Sequence, residues 1–462
     1  NVSGTWRSLN WISGMRLKKT CQVFLVLNLM LCLVFATALL VLRWRAGSVG
    51  FGGASVVCLG CLFCWGGAAA GSLWGLRRGF HLTVARLWLV LTGFLLPYLA
   101  VEAILVAVRH GKLSAAVIPD RTLHHTLQPG VLSEVYTAEF QYLQQVNSLG
   151  MRGAEIAINR TAGACRVLML GDSFTMGTGV ADDETFSVLL QNSWNERAAA
   201  RGVRQIAVFN GGVESYAPIL CYLRLKQLQP LLQPEIVILN FDVSDLLQEV
   251  AYRRLATFSD SGEILGVDGT ADADSSPLRS TVQEIRGLIN QNLVLTRLLL
   301  AWLDRWTEAA TEPTVANTVR RPFTNLLRHT LAADNVNRDQ EWSAVFDSIE
   351  RLHRFCDERD IRFVLTQYPW GHQVSDSEWL QGRRGFVPDG ELTSDRSVER
   401  LESFARQRGI TSLNLYSAFR GAAGNSPLYH CHDMHWTPAG HGVMARGLES
   451  FLIEYSGIEM MR

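Results

Sequence analysis

Two patterns of hydrophobicity divide the chain. The first is continuous: residues 20–42 and 46–76 contain no Asp, Glu, Lys or Arg, and 87–108 contain only Glu102. As helices, such runs reach the roughly 30 Å of a hydrocarbon layer, so they predict three transmembrane helices over about 20–42, 50–76 and 87–108. A cleaved signal peptide would have a shorter apolar core and no second run directly behind it. The second pattern is interrupted. From about 161 onward, short apolar runs at 166–170, 206–209, 235–239, 362–365 and 412–415 alternate with helical stretches at 184–200, 217–230, 341–359, 395–408 and 437–455. Short continuous apolar strands separated by helices are parallel strands covered on both faces. The predicted fold class is therefore α/β, a three-layer α/β/α sandwich around a five-stranded parallel sheet, preceded by three N-terminal transmembrane helices.

The pattern also sets out the remaining segments. Residues 1–19 form a basic N-terminal segment, 20–108 the membrane anchor and 109–160 a polar, irregular lead-in with a short helical or extended approach segment, ahead of the domain at 161–462. An insertion at 246–340 opens with a candidate hairpin, 256–265, with Asp260-Ser261-Gly262 at its turn. A helix over about 279–306 follows. Its apolar run, 293–303, is too short to span a membrane, so it packs on the sheet or dips into the bilayer surface.

Charge sharpens this division. The chain has 43 basic and 43 acidic residues, a balance that argues against a nucleic-acid partner. The balance is a cancellation, because residues 1–108 carry nine basic residues and one acidic residue, leaving an excess of eight acidic residues in 109–462. Arg7, Arg16, Lys18 and Lys19 precede the first run, and Arg77, Arg78 and Arg86 lie between the second and third. Only Arg43 and Arg45 lie between the first and second. The distribution favours an inside N-terminus and an extracytoplasmic domain after three crossings. Met15, followed by Arg-Leu-Lys-Lys, reads as a start of translation behind Asn1.

Cysteine placement adds little chemistry. Cys58, Cys61 and Cys64 are spaced like metal ligands, but they lie in an uncharged, glycine-rich run and read as helix packing by small residues. Cys165, Cys221, Cys356 and Cys431 show no Cys-x-x-Cys spacing, so no zinc site, metal or cofactor is expected. Disulfides among them are an open expectation for an extracytoplasmic domain.

Candidate chemistry lies at two places. In Leu168-Met-Leu-Gly171-Asp172-Ser173-Phe174-Thr175-Met176-Gly177-Thr-Gly179-Val180, a hydroxyl sits just past a buried strand among glycines. A phosphate-binding turn would need a Lys or a different glycine spacing. Near the C-terminus, Cys431-His432-Asp433-Met434-His435-Trp436-Thr437-Pro438 places a carboxylate and an imidazole two residues apart, ahead of a helix with Thr437 as N-cap and Pro438 at its first position. A nucleophilic serine needs a histidine base held by a carboxylate. Asp433 as a plain helix cap with surface histidines is the competing reading.

Together these motifs resemble the SGNH, or GDSL-like, hydrolase family, over about 165–452. The resemblance implies a flavodoxin-like fold, Ser173 as nucleophile, His435 as general base and Asp433 as its orienter. Phe209-Asn210-Gly211-Gly212-Val213-Glu214-Ser215-Tyr216 is similar to the family's second block, which implies Gly212 as an oxyanion donor beside the Ser173 amide. The third block departs from the pattern: Leu239-Asn240-Phe241-Asp242-Val243-Ser244-Asp245 puts Ser244 where an oxyanion-binding Asn is expected, with Asn240 as the alternative. The stretch Val146-Asn-Ser-Leu-Gly-Met-Arg-Gly153 resembles a lead-in seen in membrane-anchored bacterial members. Tyr368, Trp370 and His372 follow a strand and so lie on the active rim, either stacking a sugar or acyl chain or covering the sheet end. Met176 and Phe174 are candidates for an acyl pocket, with core packing favoured for Phe174. The expected partners are an ester- or O-acyl-bearing substrate, glycan or lipid, and the bilayer. An O-acetyltransferase acting on a cell-surface polysaccharide and a non-catalytic glycan-binding or assembly protein are the alternatives.

Overall fold

A computed structural model describes residues 117–137, 139–156, 163–269, 326–333, 339–387 and 390–455, together with Tyr98 and Glu102. The chain divides into two compact units, Asn1–Leu113 with Leu278–Glu308, and Ser114–Pro277 with Ala309–Arg462. In the first, the Tyr98 hydroxyl donates to Glu102 Oε2 at 3.4 Å. The three expected transmembrane segments and the expected helix over 279–306 lie outside the described residues. Among the described residues no helix is long and apolar enough to cross a membrane.

The second unit opens with two hairpins, β1 (Val117–Asp120) with β2 (His124–Leu127) and β3 (Leu132–Tyr136) with β4 (Gln141–Gln145). This corrects the expectation of an irregular lead-in. The hairpins were hidden because their strands are polar and short; only β4 alternates cleanly, exposing Gln141, Leu143 and Gln145 and burying Tyr142 and Gln144.

The sheet follows. In chain order its elements are β5 (Cys165–Leu170), α1 (Ser173–Met176), α2 (Phe186–Arg201), β6 (Ile206–Asn210), α3 (Pro218–Leu232), β7 (Ile236–Phe241) and α4 (Asp245–Leu255). A small hairpin, β8 (Ala256–Phe258) with β9 (Ile264–Val267), comes next, as the Asp-Ser-Gly turn predicts. After it come α5 (Asp339–Asp357), β10 (Arg362–Gln367), α6 (Gly371–Val374), α7 (Arg396–Arg408), β11 (Thr411–Asn414), α8 (Tyr416–Ala422) and α9 (Pro438–Tyr455). The strand order is β11-β10-β7-β5-β6, all parallel. Counting only these strands, it is the 2-1-3-4-5 order of doubly wound sheets.

Burial explains the order. All six residues of β7 are buried, as a central strand covered on both faces requires. β11 alternates between half-buried and exposed, as an edge strand can. Each fully buried Leu, Ile or Val contributes about 1.5–3 kcal/mol of transfer free energy, so β5 and β7 anchor the core. Helices α2 and α9 pack on each other, while α3, α4 and α5 pack together, giving the two outer layers. The chain reverses direction between β5 and β7. Loops after those strands leave the sheet on opposite faces there and open a crevice at their carboxyl ends.

Candidate active site

Ser173 begins α1 immediately beyond β5. The strand must turn sharply to aim the residue upward, and Gly171 makes the turn with φ 152°. A Cβ at Gly171 would meet the Asn240 carbonyl of β7 at 2.9 Å and the Thr175 hydroxyl still closer, so no other residue fits. Asp172 caps α1, its Oδ1 accepting from Phe174 N–H at 2.9 Å. Asp172 and Phe174 are buried and Ser173 between them is half-buried, so of the three only Ser173 reaches the surface.

The other two residues arrive from the far end of the chain. Thr437 accepts from Gly440 N–H at 3.4 Å and Pro438 opens α9, the predicted cap. The loop ahead of this cap carries Asp433 and His435. His435 Nε2 lies 2.7 Å from Ser173 Oγ, and its Nδ1 lies 2.5 Å from Asp433 Oδ1. The same Asp433 oxygen accepts His435 N–H at 2.9 Å, which fixes the imidazole on its backbone. Phe174 lies beneath the imidazole, ring centroids 4.9 Å apart.

Electrostatics suit a base. Burial alone would lower the His435 pKa, but the hydrogen bond and charge of Asp433 outweigh it and the net shift is upward. Burial likewise pushes Asp433 up, and its bond to His435 prevails, holding the carboxylate below its ordinary value. Beneath the nucleophile the balance reverses. Burial, then the charge of the nearby Asp242, hold the Asp172 carboxyl well above the ordinary carboxylate range.

The expected oxyanion donors are placed differently. Gly212 N–H donates to Asn210 Oδ1 at 3.1 Å, and a Cβ there would collide with the backbone of α1. Gly212 is small because α1 lies against it, and its amide is already engaged. Ser244 is buried; its N–H donates to Asp242 Oδ1 at 2.7 Å and its hydroxyl also bonds Asp242. Asn240 lies within β7 and donates to Thr175 Oγ1 at 3.1 Å. These bonds commit all three groups to the scaffold. The Ser173 amide, at the first position of α1, has no intrahelical acceptor. A feature missed in the sequence is the turn Val213–Tyr216, closed by Tyr216 N–H to the Val213 carbonyl at 3.2 Å. Ser215 holds φ 61° there, and its amide donates no hydrogen bond among the described residues. The carbonyl of Ser215 accepts from the Tyr252 hydroxyl at 2.9 Å and that of Glu214 contacts His125 Nε2 at 2.6 Å, so the turn is tied from behind.

The rim aromatics also change role. Tyr368, Trp370 and His372 are 2%, 1% and 6% exposed, too little to stack a substrate. Tyr368 donates to Asp172 Oδ1 at 3.3 Å, Trp370 Nε1 to Asp242 Oδ2 at 2.8 Å, and His372 Nε2 lies 2.7 Å from the Thr330 hydroxyl. They close the sheet end beneath the site. Met176 and Phe174 are core residues too. Cys165, Cys221 and Cys356 are buried free thiols and Cys431 is an exposed one, so the described cysteines form no disulfide.

Two further residues from the lead-in support the site. Arg152, its side chain 1% exposed, pairs with Asp182 at 2.7 Å and donates to the carbonyls of Met176, Gly177 and Val180, gripping the turn behind α1. Glu139, at the β3–β4 turn, accepts the N–H groups of His432 at 2.9 Å and Asp433 at 2.6 Å. The stretch around Gly153 signalled Arg152; nothing in the sequence signalled Glu139.

No family model and no curated protein matches the chain. Solved structures do. It is similar to the psychrotrophic esterase EstA from a Pseudoalteromonas species, with TM-score 0.31 and 11% identity over 63% of this chain and 99% of that one. It is similar to a lipase/acylhydrolase from Enterococcus faecalis, with TM-score 0.31 and 12% identity over 62% and 94%. A third likeness is to a structure described as a putative lipolytic protein of the G-D-S-L family from Desulfitobacterium hafniense, with TM-score 0.28 and 12% identity over 62% and 98%.

Proposed function

We propose that this protein is a membrane-anchored serine esterase, or O-deacylase, working outside the cytoplasm through an acyl-enzyme. One observation carries the catalytic part: the unbroken chain from Asp433 through His435 to Ser173, at 2.5 and 2.7 Å. Three apolar runs ahead of the domain, two uncharged and one carrying only Glu102, support the anchor.

The chemistry runs through these atoms. Ser173 Oγ attacks the ester carbonyl carbon while His435 Nε2 takes the hydroxyl proton. Asp433 holds Nδ1–H and stabilises the imidazolium. The amides of Ser173 and Ser215 are the donors we assign to the oxyanion, Ser215 taking the part expected of Gly212 and Ser244. His435 returns its proton to the leaving alcohol, and the acyl group stays on Ser173. Water then attacks the acyl-serine, giving its proton to His435, and His435 returns it to Ser173 Oγ as the acid leaves.

The test compares the detergent-solubilised full chain with Ser173→Ala on p-nitrophenyl acetate. Turnover is expected in the native protein and its loss, by roughly 10⁴-fold or more, in the variant. Equal rates would overturn the assignment. Adding an oligosaccharide to the same assay asks which acceptor takes the acyl group; its acetylation at the expense of hydrolysis would replace the esterase by an acetyltransferase of the same mechanism.

A further inference from the structure

Beside the triad, on the same loop, lies a second cluster that catalysis does not use. One ligand atom each from Glu139, Cys431 and His432 lies within 4.8 Å of the other two. The three residues come from distant parts of the chain, the β3–β4 turn and the loop ahead of Asp433. Cys431 and His432 are exposed and Cys431 is a free thiol, so an ion can enter from solvent.

The backbone under the cluster is held on both sides. Glu139 accepts the amides of His432 and Asp433. The Cys431 carbonyl accepts from the amides of Gln381 at 2.9 Å and Gly382 at 3.0 Å, and the His432 carbonyl accepts from Trp379 Nε1 at 3.1 Å. A carboxylate oxygen that accepts an N–H keeps another lone pair, so Glu139 can hold the loop and an ion together. Ligand atoms around a tetrahedral zinc stand roughly 3.3–3.8 Å apart, given bonds of about 2.0–2.3 Å. The exposed Cys431 and His432 side chains therefore need to close by no more than about 1.5 Å.

Ligand chemistry selects the ion. A thiolate, an imidazole and a carboxylate suit Zn²⁺, whereas Mg²⁺ and Ca²⁺ take oxygen ligands. We propose that Glu139, Cys431 and His432 form a Zn²⁺ site that clips the β3–β4 hairpin to the loop carrying Asp433. Water completes the tetrahedron, and the Cys431 thiol releases its proton to solvent as the Zn–S bond forms. Cysteine spacing argued against zinc; the site escapes that reasoning because only one of its ligands is a cysteine and Glu139 joins it through the fold.

The experiment uses the full chain in detergent, stripped with a chelator and kept in a reductant without thiols. Zn²⁺ titrated by calorimetry is expected to bind one ion per chain with Kd below roughly 10 μM. Co²⁺ in its place is expected to give a thiolate charge-transfer band, and saturating Zn²⁺ to raise Tm. Cys431→Ser should abolish the band, and Cys431→Ser and His432→Ala should each weaken Zn²⁺ binding by about tenfold or more. Ser173→Ala should bind Zn²⁺ as the native chain does, which separates this site from the hydrolase assignment. Absence of stoichiometric binding, binding unchanged in the Cys431→Ser/His432→Ala double variant, or a Co²⁺ band surviving Cys431→Ser would each overturn the proposal.

Discussion

At His435 two opposed effects meet: burial disfavours the imidazolium and Asp433 favours it, with Asp433 prevailing. The base must be neutral to accept the Ser173 proton. Activity should therefore fall as pH drops through a midpoint above the ordinary 6.5 of histidine. Asp433→Asn removes the charge that raises this pKa, so the acid limb of kcat/KM should move to lower pH while kcat drops by roughly 10⁴-fold. An unmoved acid limb in that variant would show that Asp433 does not set the base. The oxyanion turn gives a second check at this scale. Ser215 sits at φ 61°, a conformation glycine adopts freely and a β-branched residue resists by about 1–2 kcal/mol. Ser215→Gly should keep near-native turnover and Ser215→Val should lose both kcat and Tm; equal kcat in the two would remove this turn from the mechanism.

Among the elements, the lead-in matters more than its polar sequence suggests. Its hairpins and the stretch after them deliver Glu139 and Arg152 to the two loops that carry the catalytic residues. Arg152 holds three carbonyls of the turn that follows α1 through a planar fork, in a space that a Cβ at Gly177 would enter at 3.0 Å from its Nη1. Arg152→Met should cost about 3 kcal/mol, because it strands those carbonyls and the partly exposed Asp182. Arg152→Lys should recover little, since an ammonium cannot make the forked contacts. Urea unfolding measures the first, and a loss under about 0.5 kcal/mol would count against the grip. The stretch Val146–Gly153 drew attention in the sequence, but its partner, the turn at residues 176–180, could be found only once both segments were folded. The same holds for Trp370: its position after β10 was legible, and its inward direction follows from the Asp242 carboxylate 2.8 Å away.

For the whole molecule, charge and hydrophobicity act together. The segment 1–108 carries nine basic residues and one acidic residue around three uncharged or nearly uncharged runs, whereas the remainder is acidic. A chain built this way should pellet with membranes, resist a high-salt or alkaline wash and require detergent for release. Recovery of the full chain in the wash supernatant would refute the anchor.

What the sequence alone determined was whatever depends on local periodicity and contiguous motifs. Buried strands announce themselves by unbroken apolar runs, helices by their spacing and caps, and the nucleophile by Gly171-Asp172-Ser173 at a strand end. The five strands, the helices α2, α3, α5, α7 and α9, and the motifs carrying Ser173, Asp433 and His435 were readable in this way, whereas α4 fell inside the expected insertion and α8 lay outside the expected helices. Tertiary structure decided which polar groups remain free. Tyr368, Trp370 and His372 sit where chemistry was expected, yet each is bound to a neighbour from a remote segment, while Gly212 and Ser244 are engaged within their own turns by Asn210 and Asp242. A residue type advertises what it can bond; only the packed fold shows whether that bond has already been made, because the competing partner lies distant in the chain and beside it in space.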